Sequence, residues 1–96
     1  MNKKIKIRFS DRSINEIIRA TVEMAKVKTG ALIILEQDIV LTEYERTGIT
    51  LDSTISSQLL INIFEHNTPL HDGAVIIRGD RIVAATCYLP LSDNLG

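Results

Sequence analysis

The chain has 96 residues, of which 45% are hydrophobic and 24% charged, with a formal net charge of −1. That length bounds it to one domain at most, and that composition excludes a disordered tail or a collagen-like fibre. A near-neutral charge with only two tyrosines and two phenylalanines also argues against a nucleic-acid partner, since phosphates need a basic patch and single strands need stacking platforms.

The basic cluster Lys3, Lys4, Lys6 and Arg8 reads as a solvated leader over residues 1–12, ahead of one domain over 13–96. "MNKKIKIRFS" lacks the apolar core of a signal peptide, and no run approaches the roughly 20 apolar residues of a membrane helix, so the reading is a cytoplasmic α/β domain. Ser13 followed by Glu16 has capping-box spacing. Ile14, Ile17, Ile18, Thr21, Val22, Met24 and Ala25 then recur at helical spacing and predict a helix from Ser13 to Lys28, with Gly30 as its terminator. The continuous apolar run "ALIIL", Ala31 to Leu35, predicts a first strand.

"EQDIVLTEYERTGITLD" alternates imperfectly and predicts a short strand or hairpin within a loop, with Glu43, Glu45 and Arg46 solvated. From Ser53 as N-cap, Ile55, Leu59, Leu60, Ile63 and Phe64 share one face of a second helix, which ends before Pro69. Then Ala74 to Ile77 and Arg81 to Tyr88 flank a two-residue Gly79-Asp80 turn with glycine first, the signature of a type II′ hairpin. This pair is expected at the centre of a two- or three-stranded sheet, open at one end and incomplete after "LPLSDNLG".

The chemistry concentrates in "TPLHDGAVII". His71, Asp72 and Gly73 precede an apolar strand that needs none of them. One account is a turn, with His71 covering the end of the second helix. The other gives Gly73 to the close approach of a ligand, Asp72 to a general base or metal ligand, and His71 to metal ligation beside bound phosphates. "KTGALII" is open in the same way between helix termination and a site. Neither glycine belongs to a GxxxxGK[ST] or GxGxxG fingerprint, so P-loop and Rossmann nucleotide sites are excluded. No Cys/His pair has zinc spacing, no GxSxG occurs, His66 reads as a helix-end residue, and the lone Cys87 in "AATCYLP" reads as a buried small hydrophobe.

The blocks "TGALIIL", "TGITLDSTISSQLLINIFEHNTPLHDGAVII" and "RIVAATCYLPLS" resemble the diadenylate cyclase domain, and the membrane-tethered CdaA-type branch more closely than the DNA-scanning DisA type. The resemblance runs from about Ser13 onward. It implies a layered mixed sheet flanked by helices, and an enzyme that condenses two ATP into cyclic di-AMP with release of two pyrophosphates across a face-to-face homodimer. It further implies Asp72, Gly73 and Ala74 as the catalytic Asp-Gly-Ala motif, His71 and Asp72 as ligands of a manganese, cobalt or magnesium ion, and Gly73, Tyr88 and Leu89 as nucleotide contacts.

A second signature of that family, an Arg-His-Arg run followed by an acidic residue, does not occur in this sequence, nor do the membrane helices that usually precede this branch. The chain is accordingly expected to be the N-terminal part of a catalytic domain, with a separate chain or segment as one source of the remainder. The alternative is a catalytically inactive module that keeps the fold and binds a partner through its open sheet edge.

Overall fold

A computed structural model describes residues 9–37, 41–67 and 69–88. In chain order the elements are helix α1 (Asp11–Lys26), strand β1 (Ile33–Glu36), a one-turn helix α2 (Thr42–Glu45), strand β2 (Ile49–Thr54), helix α3 (Ser57–Ile63), a 3-10 turn (Pro69–His71), and strands β3 (Ala74–Arg78) and β4 (Arg81–Cys87). The four strands form one mixed sheet in the order β1-β3-β4-β2, so the sheet has one strand more than expected and β3 and β4 are indeed central. β1 pairs parallel to β3, while β3–β4 and β4–β2 are antiparallel.

Alternation along β3 divides the apolar side chains between the two faces. Val75 and Ile77, with Ile82 and Ala85 of β4, pack against Ala20 and Met24 of α1 and against Leu60, Ile63 and Phe64 at α3. Ile76, Ala84 and Cys87 face the other way, where Ile34, Leu41, Tyr44 and Val83 cover them. α1 and α3 thus form one layer, and the single turn of α2 is the described helix on the opposite face. Cys87 is buried in this second cluster, and burial pushes its thiol pKa up, as suits a packing residue.

Several boundaries differ from the sequence expectation, each for a physical reason. α1 begins earlier, because Ser10 is its N-cap and accepts the Ser13 N–H at 3.1 Å. Ser13 is instead fully buried and donates its hydroxyl to Asp80 at 2.8 Å, while Asp80 also accepts the Ser10 N–H at 2.8 Å. The hairpin turn therefore clasps the start of α1. Glu16 does not fold back on Ser13; it accepts the Ser57 N–H at 2.7 Å and caps α3 from the neighbouring helix.

α1 also stops at Lys26 without the help of Gly30. Lys28 takes φ 60°, the Lys28 N–H donates to the Ala25 carbonyl and the Thr29 N–H to the Met24 carbonyl, which is the Schellman pattern with lysine in the place usually given to glycine. α3 starts four residues after Ser53, with Ser56 as its cap, because Ile49–Thr54 is claimed by pairing with β4. In that pairing Arg81 grips Asp52 through both its side chain and its carbonyl.

The loop expected to be solvated instead carries a polar junction. Arg78 donates to Glu36 at 2.9 and 3.0 Å and to Glu45 at 2.6 Å, tying the ends of β1 and β3 to α2. Those two carboxylates raise the pKa of the guanidinium, which is charged at any accessible pH. Glu43 and Arg46 remain exposed, as expected.

Candidate functional site

The 3-10 turn delivers His71, Asp72 and Gly73 to one end of the sheet, where β3 starts and the antiparallel β4 finishes. Gly73 has φ 84°, and a Cβ there would sit 2.7 Å from the Cys87 carbonyl oxygen and 2.8 Å from the Thr86 carbonyl carbon. Only glycine serves, and the reason is close approach of backbone to backbone. Ala74, directly after it, is fully buried opposite Cys87.

Across from Gly73, β4 holds a second unusual residue. Thr86 has φ 54°, a conformation that a β-branched side chain rarely adopts. It lies in a β-bulge, since Ala74 pairs with Cys87 while Ile76 pairs with Ala84, leaving an extra residue on β4. Bulges re-aim the chain beside them, and Tyr88, just past the end of β4, is 58% exposed. Thr47 fixes the exit: its hydroxyl accepts the Tyr88 N–H at 2.8 Å and donates to the Tyr44 carbonyl at 2.6 Å. Gly48 beside it has no room for a Cβ, which would meet the Ala85 carbonyl and the Cys87 sulfur.

Next to this junction opens a cleft of about 660 Å³, lined by residues 27–32 with Phe64, His66, His71 and Gly73. The strained Lys28 cap and the "TGAL" segment thus share a cleft with the His-Asp-Gly turn. His71 Nε2 stands 3.3 Å from an Asp72 carboxylate oxygen, and Asp72 is exposed. Among the described residues no three His, Cys, Asp or Glu side chains converge as a metal site. His71 and Asp72 are thus a contacting pair and not part of a larger donor cluster.

The structure brings His71, Asp72, Gly73, Ala74 and Tyr88 to one end of the sheet; Leu89 lies outside the described residues. Sequence reasoning missed Thr47, Gly48 and Thr86. "RTGIT" did carry a signal for the first two, a glycine at the entry to a strand of β-branched residues, where close backbone approach is a common cause.

The family model described as "DisA bacterial checkpoint controller nucleotide-binding" matches residues 18–96. The chain is 52% identical over 83 residues to the cyclic di-AMP synthase CdaA of Bacillus subtilis, covering 86% of this chain and 30% of that protein. It is 57% identical over 81 residues to a diadenylate cyclase of Listeria monocytogenes, covering 84% of this chain and again 30% of the relative. Its backbone is similar to that of a crystallised DacA from Staphylococcus aureus, with a TM-score of 0.83 at 51% identity over 86% of this chain and 55% of that one. A second solved structure, titled a hypothetical membrane-spanning protein from Bacillus cereus, gives a TM-score of 0.78 at 39% identity over 82% of this chain and 39% of that one. No helix among the described residues is long and apolar enough to cross a membrane. The chain spans about a third of the length of the curated relatives, and its match over four-fifths of its own residues, with a shared fold, makes it a member of the DAC nucleotide-binding family.

Proposed function

We propose that this chain contributes the Asp-Gly-Ala part of a diadenylate cyclase site, which joins two ATP molecules into cyclic di-AMP. The observation that carries the reading is the junction of Gly73 with Thr86–Cys87, which brings the exposed residues Asp72 and Tyr88 to the same end of the sheet, beside a cleft that His71 and Gly73 line. The names of the relatives supply the reaction.

Each half-reaction forms a bond from a ribose 3′-oxygen to the α-phosphorus of the other ATP and breaks the bond from that phosphorus to the bridging oxygen, releasing pyrophosphate. Asp72 is the group to take the 3′-hydroxyl proton, since its carboxylate is exposed and held at a fixed turn. Gly73 lines the cleft without side-chain bulk, so phosphate can come close there, and the buried Ala74 behind it holds the turn at the start of β3. Tyr88 offers a ring face to adenine, with Leu89, next in the sequence, as a further nucleotide contact. His71 and Asp72 would hold a divalent manganese, cobalt or magnesium ion together with phosphate oxygens, and such an ion supplies charge neutralisation on the triphosphate.

Two nucleotides must react with each other, and this site lies open at the end of the sheet, so a face-to-face homodimer fits the chemistry. Lys28 is the cationic lining residue of the cleft apart from its histidines, which leaves phosphate clamping to another segment. The test is cyclic di-AMP formation, read by mass spectrometry, from ATP and manganese by this chain joined to the DacA segment outside the match, in the order that DacA has them. Product that disappears in a folded Asp72→Asn variant supports the reading. A folded, dimeric fusion that binds no ATP, or turnover indifferent to Asp72→Asn, refutes it.

A further inference from the structure

The Arg78 junction and the candidate site stand at opposite ends of β3, yet one short element joins them. α2 is a single turn, Thr42–Glu45, with no buried residue of its own and no side-chain cap at Leu41. A helix of that length has no stability in isolation, so what surrounds it decides where it sits. Two groups hold its ends. The Glu36 carboxylate accepts the Leu41 N–H at 3.2 Å, and Arg78, already paired with Glu36 at 2.9 and 3.0 Å, donates to Glu45 at 2.6 Å. Leu41 and Tyr44 themselves pack on the cluster of Ile76, Ala84 and Cys87.

The residues that follow α2 meet the exit of β4. The Cys87 thiol lies 3.9 Å from the Glu45 carbonyl oxygen, and Gly48 fits against Ala85 and Cys87 only because it has no Cβ. β4 ends at Cys87, so Tyr88 lies beyond the ladder, and the Thr47 hydroxyl holds its N–H at 2.8 Å instead. The same hydroxyl donates to the Tyr44 carbonyl at 2.6 Å, which ties its position to α2.

We propose that Arg78 is a positioning residue for Tyr88: it seats α2 through Glu45, and α2 through Thr47 fixes the Tyr88 backbone and with it the direction of the ring. That the ring serves adenine rests on the cyclase reading above. β3 closes the circuit, because its first residue, Ala74, pairs with Cys87 and its last, Arg78, holds α2. The His-Asp-Gly turn and Tyr88 are thus both referred to one strand, and a shift of α2 moves the ring relative to the turn.

Glu45→Ala is the cleanest perturbation, because Arg78 keeps both of its bonds to Glu36 and the more buried carboxylate keeps its guanidinium. Glu43, on the same turn, forms a surface pair with Arg46 at 3.7 Å, so Glu43→Ala is the control. The fusion with the DacA segment is followed first by NMR without nucleotide, where Thr47→Val marks the position that the Tyr88 amide resonance takes when its acceptor is removed. Glu45→Ala should move that resonance toward the Thr47→Val position and speed its exchange with water by at least about threefold. Arg78→Lys, which keeps the charge and loses the fork, should do the same, and Glu43→Ala should do neither.

Affinity is then read by calorimetry with magnesium and an ATP analogue carrying a methylene bridge between its α- and β-phosphates. Losing a stacked base altogether costs roughly 5- to 150-fold in affinity, so a misdirected ring in Glu45→Ala should cost about 3- to 10-fold. In a Tyr88→Ala background the same substitution should cost nothing further, since a positioning residue has no effect once the group it positions is gone. A Tyr88 amide unmoved in both folded variants, Glu45→Ala and Arg78→Lys, overturns the proposal. So does an equal loss of affinity with and without the Tyr88 ring, which would make Glu45 a matter of general stability. If the folded fusion binds no analogue at all, the cyclase reading falls and the amide result alone decides the linkage.

Discussion

Replacing Gly73 by alanine separates a glycine required by geometry from one that merely occurs in a turn. At φ 84° an L-residue loses about 1–2 kcal/mol to contact between its Cβ and its own backbone. The added carbon also meets the Cys87 oxygen at 2.7 Å and the Thr86 carbonyl carbon at 2.8 Å, and both are backbone atoms of a central strand that cannot swing aside. Overpacking of that kind costs roughly 1–3 kcal/mol, so the variant should lose about 2–5 kcal/mol. Against the 5–15 kcal/mol typical of a folded domain, this is a large share, on the order of 10 °C or more in Tm. Gly30→Ala is the internal comparison, because a Cβ there meets nothing within 4 Å and its φ is not positive. It should be neutral, or stabilising by a few tenths of a kcal/mol through the unfolded chain. Urea unfolding followed by circular dichroism measures both. A Gly73→Ala loss below about 0.5 kcal/mol, or equal losses at the two glycines, would refute the junction as described.

Lys28→Gly should stabilise the chain by about 0.5–1 kcal/mol, because glycine takes the left-handed cap without strain; a loss in urea unfolding would contradict the cap. Thr47→Val removes the acceptor of the exposed Tyr88 N–H and should cost at most about 1 kcal/mol of stability, while weakening nucleotide binding several-fold. Unchanged affinity by calorimetry would separate Thr47 from the site. Acid stability follows from two carboxylates. The Ser10 N–H and the Ser13 hydroxyl hold the Asp80 pKa below its ordinary 3.8, and the Ser57 N–H holds Glu16 below 4.5. Their folded values lie under their unfolded ones, so the unfolded chain binds more protons in that window. Their contribution is complete above about pH 5 and is lost as pH falls through the depressed values. Asp80→Asn combined with Glu16→Gln should lower stability at neutral pH and flatten the acid limb, as read from Tm between pH 3 and 7; an unchanged slope would count against both contacts.

What the sequence revealed followed the range of the forces involved. The β3–β4 hairpin was legible because its turn is local: Gly79 supplies φ 62° as the first turn residue and Asp80 needs no positive φ, as a type II′ turn has it. The apolar faces of α1 and α3 were legible from periodicity, yet periodicity could not say that Ile14, Ile18 and Val22 would stay uncovered. The α3 start was misplaced because "STISSQ" offers three serines, and only the pairing of Ile49–Thr54 with β4, distant in sequence, excludes Ser53. The Thr86 bulge has no local signal, since threonine is a good strand residue. It shows only in the fold, where the Gly73 backbone lies against it. The His-Asp-Gly turn was legible as unusual from its residues alone, and its partnership with Thr47, Gly48 and Tyr88 was not, since those contacts are all tertiary.

The measurement that bears most directly on the account is an NMR titration of the folded chain, fused to the DacA segment outside the match, with magnesium and an ATP analogue carrying a methylene bridge between its α- and β-phosphates. The largest amide shifts and the strongest protection should fall on His71–Ala74, Tyr88 and Lys28–Gly30, and Asp72→Asn should weaken them. Perturbation centred at the opposite end of the sheet, around Glu36, Glu45 and Arg78, or none at all in the folded fusion, would contradict it.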